Sequence, residues 1–93
     1  MSAVPPTRFR QETRVAWRTI DGESVLIDPT SGTVFVLNRV GSQVWALLEE
    51  PRTVEELAAS VGRTHDRAPA SVADDVETFL TDLADRSLIE ETT

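Results

Sequence analysis

The stretch from Val25 to Leu48, VLIDPTSGTVFVLNRVGSQVWALL, leaves this chain few ways to fold. Two apolar runs, Val25–Ile27 and Thr33–Leu37, flank Asp28-Pro29-Thr30-Ser31-Gly32. Pro29 presets φ for a turn and Gly32 tolerates φ > 0, so the runs read as a β-hairpin. The second strand leads straight into Asn38, a helix-capping residue type, and then into a helix with Val40, Val44, Leu47 and Leu48 on one face. Val34, Phe35, Val36 and Leu37 are apolar in succession, whereas a half-buried hairpin strand alternates. The second face of that strand therefore calls for a cover.

Upstream, Val15–Ile20 has strand character, with Val15 and Trp17 on one face and Arg14 and Arg18 on the other. Asp21-Gly22 follows, a two-residue hairpin signal. Together these runs predict a three-stranded antiparallel meander whose third strand, Thr33–Leu37, lies at an edge with unpaired backbone groups. Residues 1–13 contain Pro5-Pro6 and little apolar content, so they are expected to form a flexible amino-terminal segment ahead of a domain spanning 14–90.

Downstream, Glu49-Glu50-Pro51 ends the first helix, because proline cannot continue it. Thr53-Val54-Glu55-Glu56 is a capping box, and it opens a short helix that Gly62 is expected to stop. Arg63–Ser71 reads as a polar loop, with Ser71 capping a third helix. Val72, Val76, Phe79, Leu80 and Leu83 fall on one face of that helix, and Asp74, Asp75 and Glu77 occupy its first turns, where the dipole favours them. Leu88-Ile89 returns an apolar pair to the core. The fold class is α+β and winged-helix-like: a three-stranded antiparallel sheet followed by three helices.

Composition removes several chemistries. There is no cysteine, which excludes disulfides, thiol catalysis and Cys-ligated metal. His65 is the only histidine and cannot by itself supply a metal site or a triad. The four glycines are isolated, so no phosphate loop exists. These points predict no enzyme, no metal and no cofactor. No secretory signal or membrane-spanning run is present, so the chain is expected to be cytoplasmic, with no membrane partner.

The net charge of −7 is uneven. Residues 1–20 hold four arginines against one glutamate, while residues 21–93 hold five arginines against fifteen acids. An acidic body repels phosphate, so nucleic acid is not an expected partner, although the winged-helix topology keeps a DNA-binding regulator as the alternative. A peptide suits the charge better. An extended segment can add to the exposed edge at Thr33, Val34, Phe35 and Val36, with Val72, Val76, Phe79 and Leu83 of the third helix flooring a groove beside it. Phe79 and Val72 lie toward one side of the stripe; Val76, Leu80 and Leu83 also fit ordinary core. Asp75 and Asp82 border Phe79 at helical spacing and would accept hydrogen bonds or meet a peptide cation, unless they are simply solvated. Without a ligand the same edge could pair with a second copy.

The ordered set Phe35-Val36-Leu37-Asn38, Val44-Trp45-Ala46-Leu47-Leu48, Thr53-Val54-Glu55-Glu56-Leu57, Asp75–Leu83 and Ser87-Leu88-Ile89 resembles the PqqD-like family of RiPP recognition elements, which serve ribosomally synthesised and post-translationally modified peptides. One departure is Ser87, where the family often has Gly before the final Leu. The resemblance implies a non-catalytic protein that binds the leader of a precursor peptide as an added strand between the third strand and the third helix. It implies delivery to modifying enzymes, and a free-standing acidic member resembles most the lasso-peptide branch, with a leader peptidase and a cyclase as partners; the enzymes of quinone-cofactor and sactipeptide pathways are the alternatives.

Overall fold

The structure is a computed structural model that describes residues 6–92. Its elements in order are β1 (Arg8–Gln11), β2 (Ala16–Ile20), β3 (Glu23–Asp28), β4 (Thr33–Val36), α1 (Arg39–Leu47), α2 (Val54–His65), α3 (Pro69–Asp85) and β5 (Ile89–Thr92).

The expected meander is β2-β3-β4, antiparallel throughout, with β4 at one edge. Asp21 and Gly22 both hold positive φ (52° and 82°), as a two-residue hairpin of this twist requires. In the β3–β4 turn the Gly32 amide donates to the Asp28 carbonyl (2.7 Å) and the Thr30 amide to Asp28 Oδ1 (2.9 Å). Asn38 caps α1 by accepting from the Gly41 amide (2.8 Å). The Thr53–Glu56 capping box closes from both sides, at 3.1 and 2.9 Å.

The core gathers Leu26 from the sheet, Trp45 from α1 and Leu48 at its C-cap, Leu57 and Val61 from α2, Val72, Val76, Leu80 and Leu83 from α3, and Leu88 beyond it, all essentially inaccessible to water. The Trp45 ring meets Trp17 edge-to-face at 6.3 Å between centroids. Truncating a buried side chain of this size costs about 3–5 kcal/mol, so Trp45 is central to stability.

Several boundaries differ from the sequence reading. Of the 1–13 segment expected to be flexible, residues 1–5 lie outside the described residues, and Arg8–Gln11 is a strand paired antiparallel with β5, which the sequence reading did not foresee. In this strand Phe9 packs against the core, and the basic residues meet the chain's own acids: Arg10 pairs with Glu90, and Arg8 with Glu56 at 2.9 Å. Phe9 and Arg52 also exchange backbone hydrogen bonds at 2.8 and 2.9 Å.

Gly62 does not stop α2. The helix runs on to His65 and ends at Asp66, which takes the left-handed conformation (φ 53°). The nine-residue loop shrinks to Asp66–Ala68, because α3 begins at Pro69, whose missing amide costs nothing at a first helical position. Ser71 is therefore inside α3 and caps nothing; its hydroxyl donates to the Ala68 carbonyl (2.8 Å). Asp74 and Asp75 consequently lie beyond the first turn of α3.

Candidate binding groove

Alternation of hydrogen bonding along an antiparallel pair decides which groups the edge strand leaves open. The Leu37 amide donates to the Ser24 carbonyl (2.8 Å), and the register pairs Phe35 with Leu26 and Thr33 with Asp28. Counting back by twos, Phe35 and Thr33 direct their backbone groups at β3. Val34 and Val36 direct theirs to the open edge. Their side chains share a face with Val25 and Ile27, since cross-strand partners do, and they are exposed at 56% and 66%. The second face thought to need a cover has none among the described residues. Ile20 and Ile27 lie on that same outer face, and with the two valines they are the exposed large apolar residues of the described chain.

Between the open edge and α3 lies a groove of two basins that meet at Val36 and Leu37. The first, about 440 Å³, joins Val72, Asp75, Val76 and Phe79 of α3 to Val36 and to Val40, Gly41 and Val44 of α1. The second, about 330 Å³, joins Val34, Phe35 and Val36 to Asp82, Leu83, Arg86 and Leu88. Nine of the ten residues singled out from sequence thus line one continuous cleft. Thr33 does not; its hydroxyl accepts from the Ser31 hydroxyl (2.9 Å) back in the turn.

Exposure separates the roles within the α3 stripe. Val72, Val76 and Leu83 are buried and form floor and core at once, whereas Phe79 is half-buried and offers its ring to the groove. A Cβ on Gly41 would meet the Phe79 ring at 3.2 Å, so the glycine lets that ring rest against the first turn of α1. Both bordering acids are already faced by an arginine of this chain. Arg67 Nη2 lies 3.6 Å from Asp75 Oδ2, and Arg86 Nε lies 3.2 Å from Asp82 Oδ1. The two arginines, Leu37 and the α1 residues are groove members the sequence reading missed. For Arg86 the signal existed, as its spacing of four from Asp82 is that of a helical ion pair. For Arg67 there was none, since its place depends on the short α2–α3 connection.

Among the described residues no cluster of His, Cys, Asp or Glu could hold a metal ion. His65 sits at the end of α2, exposed, 3.2 Å from Gln43 Oε1, on the far side of α1 from the groove. No helix among the described residues is long and apolar enough to cross a membrane. An extended chain lying along the cleft would meet two residues' worth of open backbone groups and an apolar basin on either side of Val36.

Known proteins share this fold. The family described as Coenzyme PQQ synthesis protein D (PqqD) matches residues 23–89. No curated protein is detectably similar in sequence. Among solved structures, TbiB1 in complex with the TbiA(beta) leader peptide is 34% identical, with a TM-score of 0.80 over 87% of this chain and 94% of that one. The PqqD truncation of Methylobacterium extorquens PqqCD, described as a stand-alone RiPP recognition element, is 27% identical, with a TM-score of 0.74 over 89% and 88%. A lasso peptide synthetase B1 complexed with its leader peptide shares the fold at 18% identity, with a TM-score of 0.76 over 88% and 96%. The family match spans more than half of the chain and holds the strand, the helix and the cleft between them, so this chain belongs to the PqqD family of RiPP recognition elements.

Proposed function

We propose that this chain captures the leader segment of a ribosomally made precursor peptide as a fourth strand on β4, and presents the rest of that peptide to modifying enzymes. The observation that carries the reading is the pairing of an open edge, with Val34 and Val36 backbone groups unpaired by β3, and an apolar groove directly beside it. The 34% identical neighbour in complex with a leader peptide supports it. In this reading the chain performs no chemistry itself. Holding the leader raises the local concentration of the attached core peptide around an enzyme, so recognition and catalysis can reside on different proteins.

The proposal extends to the lasso-peptide branch, which a free-standing acidic chain of this family resembles most, with a leader peptidase and a cyclase as partners in the cytoplasm. The exposed Ile20, Ile27, Val34 and Val36 offer such an enzyme an apolar face continuous with the leader-binding edge. Without leader, that edge is free to pair with a second copy of the chain.

The test is titration of leader segments from short precursors encoded beside this chain's gene, followed by fluorescence polarisation. Ordering a flexible leader costs several kcal/mol, so saturable binding with a Kd of about 1 µM or somewhat tighter is expected. Failure of every such leader to bind would contradict the reading.

A further inference from the structure

The two basins of the groove differ in how they use their arginine. In the first, Nη2 of Arg67 is engaged twice, by Asp75 (3.6 Å) and by the Ser71 carbonyl (3.2 Å). In the second, Arg86 meets Asp82 only through Nε (3.2 Å), and its guanidinium carbon stands 5.0 Å from the centroid of the Phe35 ring. The ring and the Nε anchor together hold the guanidinium at this end of the groove. Nη1 and Nη2 have no acceptor among the described residues. That pair of N–H groups is the fork that receives both oxygens of a carboxylate.

The position of the fork matters. A residue lying opposite Phe35 on a strand added to β4 shares the face of Phe35 and points into the second basin. Leu83 and Leu88 floor that basin and are buried, while Arg86 stands at its rim with about half of its side chain exposed (49%), so the apolar stem of an acidic side chain can rest on the floor as its carboxylate reaches the fork. A peptide cation would instead meet Arg86 head-on, because Asp82 is already occupied.

We propose that Arg86 is a specificity-determining residue that reads one carboxylate on the bound peptide, an aspartate or glutamate on the groove-facing side of the added strand beside Phe35. The inference deepens the leader-binding reading and rests on it. Asp82 acts by holding Arg86 and does not itself recognise a cation. Because the chain carries a net charge of −7, acids elsewhere along the peptide are disfavoured, and the preference is confined to that one position.

The experiment selects a displayed library of random 12-residue peptides on the wild-type chain, on Arg86→Gln, and on Val36→Pro to identify binders that need the β4 edge. Wild type is expected to enrich peptides with Asp or Glu at one fixed spacing from apolar positions. Arg86→Gln should keep the apolar positions and lose the acidic one. For one selected peptide, changing its acid to the amide should weaken binding to wild type roughly two- to fivefold, and leave binding to Arg86→Gln unchanged. Enrichment of apolar positions alone, or an acidic position indifferent to Arg86→Gln, overturns the inference while leaving leader binding intact. Absence of any binder sensitive to Val36→Pro overturns the leader-binding reading, and this inference with it.

Discussion

A Cβ on Gly62 would stand 2.5 Å from the carbonyl oxygen of Arg67, whose amide in turn donates to the Gly62 carbonyl at 2.8 Å. The α2–α3 connection folds down onto this glycine, and that closeness allows a three-residue link to place Arg67 and the start of α3 against the groove. Alanine ordinarily improves a helix interior by about 1 kcal/mol over glycine. Here the clash is with backbone, which cannot rotate aside, so Gly62→Ala is expected to destabilise by about 1–2 kcal/mol. A thermal melt checks this, and a raised Tm would refute it.

Ser87 poses the opposite case. It holds φ at 58°, the left-handed region, while its neighbour Leu88 donates to the Leu83 carbonyl (3.0 Å) and closes the end of α3. That conformation costs a non-glycine residue about 1–2 kcal/mol, partly offset by the greater freedom glycine has when unfolded. Ser87→Gly should therefore stabilise by about 0.5–1 kcal/mol, read as a Tm rise of a few degrees. An unchanged or lower Tm would show that the strain is not felt.

Two carboxyls titrate below their ordinary range in the folded chain. Asp28 is held down mainly by the Thr30 amide, and Glu56 mainly by the Thr53 amide. A carboxyl lowered on folding adds stability that is complete above its unfolded pKa and is lost as pH falls toward its folded one. The Tm should thus be nearly flat from pH 7 to pH 5 and drop as pH falls through about 4. Paired Asp28→Asn and Glu56→Gln substitutions should make that drop shallower in melts followed by circular dichroism. An equally steep drop would mean other groups govern it.

Phe79 and Asp75 border the same basin but differ in burial, so they separate packing from recognition. Asp75 is largely exposed, and Asp75→Ala should shift stability by no more than about 0.5 kcal/mol. Phe79→Ala should weaken leader binding at least tenfold, since it empties the apolar wall facing Val36. Comparing Kd with Tm for each variant is the check. If neither substitution changes affinity, the leader lies elsewhere on the chain.

The meander, the edge position of β4, the capping box and the apolar face of α3 were legible because each is written in local signals: Asp21-Gly22, Pro29 and Gly32, Thr53 with Glu56, and a helical repeat. The candidate groove residues followed from those elements, with Thr33 set aside by its turn. What escaped was non-local. Nothing near Arg8 announces that it will pair opposite Thr92, and a polar, arginine-rich segment looks solvated until its acidic partners are in place. Gly62 looked like a helix stop because glycine serves both as a C-cap and as a point of close backbone approach, and only the fold distinguishes the two.

The measurement closest to the central claim is hydrogen–deuterium exchange of individual β4 amides, with and without a bound leader peptide. The amides of Phe35 and Leu37 face β3 and should be protected in both states. Those of Val34 and Val36 face the open edge, so they should exchange fast in the free chain and become protected when the leader adds as a strand. Val34 and Val36 amides that stay fast while the leader is bound would contradict strand addition on β4.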